Sequence, residues 1–220
     1  ETSLHKTIEL QPDFCQAHIN LGSVLKELGK LKEAEISTRK SIKLNPIVFN
    51  SHLLLSNILI GQKKYKEAEE SLLKTIELKP DHASSYANLG IILRDLGKLK
   101  EAEIKTRKAI ELNPYSPNTY SNLGIILRDL GNLKEAKIYL RKAIQIDPKQ
   151  AEARYNLSLI HLKEKKFKEG WVNYELRPKI IESKLKNLVA LKPEWNPEKR
   201  GRVLVWGEQG IGDQILFASL

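Results

Sequence analysis

Four asparagines, Asn20, Asn88, Asn122 and Asn156, stand at multiples of 34 residues from one another. A side-chain amide carries both a donor and an acceptor. An extended polypeptide shows one N–H and one C=O per residue, so a ladder of amides can hold a backbone without reading its side chains. The same amides can instead bond the neighbouring copy and order the array, since a buried amide needs a partner either way. Leu54 stands where a fifth asparagine would fall, and it breaks the ladder. A parallel column, Lys26, Arg94 and Arg128, is followed at each place by an acid: Glu27, Asp95 and Asp129. These either select charged groups on a ligand or form exposed pairs worth ~0–1 kcal/mol and nothing more.

A third constellation lies in the run WGEQGIGDQILF, from Trp206 to Phe217. Val203 to Trp206 reads as a short buried-type strand, residues 207–212 as a glycine-rich turn holding Gly210 and Gly212, and Asp213 as the start of a helix. That order opens α/β folds in which backbone N–H groups and a helix start receive phosphate. Asp213 is either a helix cap or a carboxylate suited to general-base work. The glycine spacing is neither G-x-G-x-x-G nor a Walker loop. The five histidines are scattered without metal-ligand spacing, and no Ser/His/Asp arrangement is present, so no metal or cofactor is implied.

The elements that must position these groups follow from the same 34-residue step. Prolines fall at Pro12, Pro46, Pro80, Pro114 and Pro148, and leucines at Leu21, Leu55, Leu89, Leu123 and Leu157. Small residues hold two further columns: Gly22, Ser56, Gly90, Gly124, Ser158, and Ala34, Ala68, Ala102, Ala136, Gly170. Within one period, Leu89, Ile92, Leu93 and Leu96 have helical spacing, and Gly97 ends that helix. A second helix begins near Lys100, turns Ala102, Ile110 and Leu112 inward, and stops at Pro114. Gly90 and Ala102 are small where two helices approach. In the first complete unit the same reasoning gives a core of Leu21, Val24, Leu25, Leu28, Ile42 and Leu44. The second unit departs most: Ile60 replaces a basic residue, and Lys63 stands at the glycine place, with Gly61 just before it. One hairpin cannot bury its apolar stripe, so neighbours must cover it.

The Asn-Leu-Gly run, the mid-repeat glycine, the small alanine after it and the closing proline resemble the tetratricopeptide repeat family over residues 1 to 177. The resemblance implies an all-α, right-handed superhelical array of helix-turn-helix repeats whose first helices line a concave groove for a protein or peptide ligand. The predicted organisation is a partial repeat at 1–14, repeats at 15–48, 49–82, 83–116 and 117–150, a degenerate repeat at 151–177, a capping helix and linker at 178–201, and the start of an α/β domain at 202–220. The half-repeat at the N-terminus and the lone strand at the other end lead one to expect a longer natural protein. INLGSVLKELGKLKEAE and the two NLGIILRDLG runs are most similar to repeats of O-linked N-acetylglucosamine transferases, where an asparagine ladder holds protein substrates. By position this implies Asn20, Asn88, Asn122 and Asn156. WGEQGIGDQILF resembles the opening of heptosyltransferase-like domains. That likeness implies Gly210 and Gly212 in a nucleotide-sugar loop and Asp213 as the base that deprotonates an acceptor hydroxyl. Such catalysis would need the longer protein; a stand-alone adaptor without activity is the alternative.

Composition sets outer bounds. A chain of 220 residues, 41% hydrophobic and 29% charged, suits a water-exposed helical array. No apolar run has membrane-spanning length and the polar N-terminus is no signal peptide. One cysteine, Cys15, allows no internal disulfide and fits a reducing, cytoplasmic setting. The net charge is +10. Eight Lys or Arg and three Asp or Glu crowd residues 177 to 202, and the rest of the charge is spread over outward helix positions. No aromatic platform for bases accompanies it, which argues against nucleic acid.

Overall fold

The computed structural model describes residues 2–174. They form eleven helices: α1 (Thr2–Leu10), α2 (Cys15–Glu27), α3 (Leu31–Leu44), α4 (Phe49–Gly61), α5 (Tyr65–Leu78), α6 (Ala83–Asp95), α7 (Leu99–Leu112), α8 (Pro117–Asp129), α9 (Leu133–Ile146), α10 (Ala151–Lys163) and α11 (Phe167–Tyr174). There is no strand among the described residues. The chain divides into two compact units, Glu1–Pro178 and Lys179–Leu220, and all eleven helices belong to the first. The expected capping helix, the linker and the strand–turn–helix with Gly210, Gly212 and Asp213 lie outside the described residues.

Five hairpins follow α1, each made of a first and a second helix: α2–α3, α4–α5, α6–α7, α8–α9 and α10–α11. One backbone device ends every first helix. In the third hairpin Gly97 takes φ +78°, its N–H bonds the Arg94 carbonyl, and the Lys98 N–H bonds the Leu93 carbonyl. This double bond to the last turn satisfies carbonyls that would otherwise be orphaned. Gly29 and Gly131 repeat it, and so do Lys63 and Lys165, both at φ +61°. A side chain in that conformation is disfavoured. The structure therefore puts Lys63 at the turn that glycine makes elsewhere, while Gly61 stays within α4, with the space for its missing Cβ against Leu31.

The small columns explain how closely the hairpins close. A Cβ on Gly90 would meet Thr106 Oγ1 at 2.1 Å, and one on Gly22 would meet Thr38 Oγ1 at 2.4 Å. Ala34, Ala68, Ala102 and Ala136 are fully buried at the same crossings. The second helix buries less aliphatic bulk than its sequence suggests: α7 hides Ala102, Thr106 and Ala109, while Ile110 and Leu112 are only partly covered. Leu28 is a correction. It sits at the C-cap of α2 and is 56% exposed, because α2 has already ended there and its turn points into solvent.

Stacking joins the hairpins into one array. Leu55, Leu59 and Leu72 of the second hairpin share a core with Leu89, Ile92 and Leu93 of the third and Ile126 of the fourth. First helices also touch one another directly, as α2 with α4, α6 with α8, and α8 with α10. This places first helices on the inner side of the stack and second helices on the outer side. Each hairpin's apolar face is thus covered by its neighbours, as a repeat architecture requires.

Candidate functional site on the inner helix face

The asparagine column lies along the first helices but its members differ in surroundings. Asn20 on α2 is exposed, and its Oδ1 accepts from Gln16 Nε2 at 2.9 Å. Leu54 is buried on α4, packed near Gly22. Asn88 on α6 is half-buried and donates to Asn57 Oδ1 at 3.3 Å. Asn122 on α8 is half-buried, with no side-chain bond to another described residue. Asn156 on α10 is buried, accepts from Arg128 and donates to the Glu152 carbonyl at 2.8 Å. The column thus splits. Asn156 is consumed by the stack, while Asn88 keeps its acceptor and Asn122 keeps all its polar atoms.

Asn57 was not legible as part of this set. It lies one helical turn beyond Leu54 on the same face of α4. Its amide stands in, one turn on, for the one that Leu54 lacks and reaches Asn88 of the next hairpin. The available signal was a polar residue at a register held by Ile91, Ile125 and Leu159 in the later hairpins.

The basic column divides in the same way. Arg94 grips its own neighbour, with Nε and Nη2 both donating to Asp95 Oδ1 at 3.1 and 2.7 Å. Arg128 does the same to Asp129 at 3.0 and 2.7 Å and adds the bond to Asn156. These adjacent pairs fix each guanidinium at its helix end; Arg128 uses all three nitrogens, and Arg94 Nη1 makes no bond among the described residues. Lys26 is half-buried and has no ion pair among the described residues.

Asn88 and Asn122 open into a cavity of about 400 Å³ on the inner face. Ala87 and Ile91 line it with apolar surface, and Asn118 and Glu152 also border it. A groove with side-chain amides beside aliphatic surface can take an extended chain, with backbone bonded to the amides and small side chains against the aliphatic surface. Arg128 and Asp129 border a second hollow, of about 470 Å³, with Leu159 and Lys163.

The histidines are less scattered than they read. His18 and His52 are one period apart, both are buried, and each places Nε2 2.8 Å from the carbonyl of the preceding repeat's closing proline, Pro12 and Pro46. A carbonyl only accepts, so each Nε2 carries the hydrogen. They tie one repeat's exit to the next repeat's entry. Cys15 is half-buried, its Sγ donates to the Ser41 carbonyl at 3.4 Å, and burial pushes its thiol pKa up, the opposite of an activated nucleophile.

Stacked helical hairpins of this period, closed by a left-handed residue and joined through small columns, define a repeat protein built from two-helix units. Tetratricopeptide-repeat sequences match at residues 16–47, 117–150 and 53–117, together more than half of the chain, and the chain belongs to the tetratricopeptide-repeat family. No curated protein matches it. Among solved structures it is similar to YrrB, described as a tetratricopeptide-repeat protein with an unusual peptide-binding site, at 20% identity and a TM-score of 0.65, over 84% of this chain and 98% of that one. It is similar to MamA at 23% identity and 0.64, over 75% and 96%. The pilF protein of Pseudomonas aeruginosa gives 22% identity and 0.66, over 74% of each chain. These likenesses show the superhelical repeat fold.

Proposed function

We propose that the inner face, centred on Asn88 and Asn122, binds an extended segment of a partner protein through its backbone. The observation that carries this reading is the open state of Asn122: half-buried, beside a cavity of about 400 Å³, with both amide groups unused within the described residues. A half-buried amide without a partner gives up part of its hydration. A peptide backbone would supply both a donor and an acceptor. The peptide-binding site of YrrB, on a similar fold, supports the class of ligand. Asn20, Lys26, Arg94, Arg128 and Asn156 border or extend the groove, with Asn156 and Arg128 holding its end rigid.

The test is selection of peptides from a displayed library by the full chain, followed by titration of the best binder. Asn88→Ala with Asn122→Ala is expected to weaken it at least tenfold, about 1.4 kcal/mol, with the melting temperature nearly unchanged. Undiminished binding would reject the groove. In the finer form of this reading, the segment belongs to an acceptor protein and the chain is part of a glycosyltransferase. Gly210 and Gly212 would then hold a nucleotide sugar and Asp213 would deprotonate the acceptor, as the WGEQGIGDQILF run suggests. Asp213→Asn in the longer protein should then abolish transfer and spare sugar-nucleotide binding. Normal turnover would sink the role of Asp213, and no transfer by the unaltered longer protein would leave the stand-alone adaptor as the reading.

A further inference from the structure

The five turns inside the hairpins lie along one edge of the stack, and that edge is a row of lysines. Lys32, Lys66, Lys100, Lys134 and Lys168 share one register in the first turn of each second helix, all exposed and none with an ion pair among the described residues. Lys63, Lys163 and Lys165 join them at the turns themselves, also exposed and also unpaired among those residues. A glutamate follows each of the five first-turn lysines; Glu67 and Glu135 are held by Arg39 and Arg107 of the preceding hairpin, while Glu33, Glu101 and Glu169 are exposed without an ion pair among the described residues, so the excess of cations comes from the lysines at the turns. The opposite edge, at the turns between hairpins, mixes signs, with Asp13, Asp81 and Asp147 beside Lys79 and Lys149.

Two observations say this edge is more than a solvated surface. The first is conformational. Three turns use glycine at the left-handed position, but the other two use Lys63 and Lys165, and a side chain there is disfavoured. Lys64 and Lys66 follow the first of these, and Lys163, Lys166 and Lys168 flank the second. Backbone ease has been given up where cationic charge is densest. The second is apolar. Leu28 and Phe167 are 56% and 53% exposed on the same edge. One helical turn past the lysine row, Ile36, Ile104, Ile138 and Val172 share a register and are 62–72% exposed; only Glu70 interrupts them.

We infer that this edge docks on a bilayer surface rich in acidic phospholipid. Lysine is a hydrated point charge on an apolar stem, suited to a fluid layer of headgroups that needs no fixed geometry. The aliphatic row gives the headgroup–acyl boundary something to take up, which phosphate chains or carboxylate-rich peptides do not offer. The two arginines near this edge, Arg94 and Arg128, are already committed to Asp95 and Asp129. The inference stands apart from the peptide groove, which lies on the inner face.

The experiment is co-sedimentation of the full chain with phosphatidylcholine vesicles containing about a third phosphatidylglycerol, against phosphatidylcholine alone, at about 0.1 M salt and then higher. Binding should require the acidic lipid and fall as salt rises. Lys63→Gly with Lys165→Gly should cut partitioning about fivefold per lysine, about 25-fold for the pair, while the melting temperature holds or rises. Glycine suits both turns, so loss of binding there is no folding failure. Ile104→Ser with Ile138→Ser should also weaken vesicle binding. Lys43→Gln with Lys149→Gln, away from this edge, should leave it unchanged. No binding to acidic vesicles, full binding by the double glycine variant, or an equal loss in the Lys43 and Lys149 control would overturn the inference. So would binding to a single-stranded RNA or to polyglutamate without binding to vesicles.

Discussion

Arg128 reaches across from α8 to the side-chain oxygen of Asn156 on α10, whereas Arg94 and Asn122, one period earlier, make no such bond. The same two residue types at the same spacing are closed at one junction and open at the other. Asn156 is therefore part of the stack and Asn122 part of its surface. Asn156→Ala should lose about 1–3 kcal/mol, because Arg128 Nη1 loses its acceptor and the Glu152 carbonyl its side-chain donor. Asn122→Ala should stay within about 0.5 kcal/mol. Urea unfolding of both variants decides it, and equal losses would mean that the two positions do the same job.

Gly90 is the tightest crossing in the array. Gly90→Ala would drive a methyl into Thr106 Oγ1 and should cost about 1–3 kcal/mol. Thr106→Ala in the same chain should recover much of that loss, since the nearest remaining obstacle is the Ala102 carbonyl at 3.3 Å. Thermal melts of the two single variants and the double variant give the coupling directly. Simple addition of the two losses would show that the contact is not the cause.

Lys63→Gly should raise stability by about 0.5–1 kcal/mol, and Lys165→Gly by a similar amount. Relief of the left-handed strain outweighs the extra freedom of glycine in the unfolded chain. Gly97→Ala should do the reverse, for nothing lies within 4 Å of the added methyl and its conformation alone is at fault. A destabilised Lys63→Gly variant would mean that the lysine side chain contributes more to the turn than its backbone costs.

The period, the hairpins and the close crossings could be read from residue types, because glycine, proline and small side chains leave few alternatives at a fixed step. Pairings between repeats could not. Arg107 joins Glu103 on its own helix to Glu135 and Tyr139 one period on. The sequence shows only alternating charge there, and any of several cations lies within reach. The division of the asparagine column was hidden for the same reason: Asn122 and Asn156 are one residue type in one register, and what separates them is that Asn156 is buried and bonded to Arg128 and Glu152 while Asn122 is half-buried without such bonds. His18 and His52 were missed because two members of five do not look like a column. The split also bears on the proposed groove, which begins where the internal bonds end.

Glu35 provides the pH test. Burial pushes its carboxyl up, but bonds from Lys64 and Arg39 outweigh that and hold it below its ordinary value of 4.5. A carboxyl whose folded pKa is depressed binds protons more readily in the unfolded chain. Its contribution is therefore complete above the unfolded value and disappears as pH falls through the folded one. Glu35 ties α3 to Lys64 at the start of α5, so its protonation loosens the first two hairpins from each other. On going from neutral pH to below 4.5, wild type should lose more stability than Glu35→Gln, and the two should converge in acid. Both partners are more than a third exposed, so screening limits the gap at neutral pH to about 1 kcal/mol. Urea midpoints at several pH values measure it, and parallel curves for the two proteins would remove Glu35 from the account of acid stability.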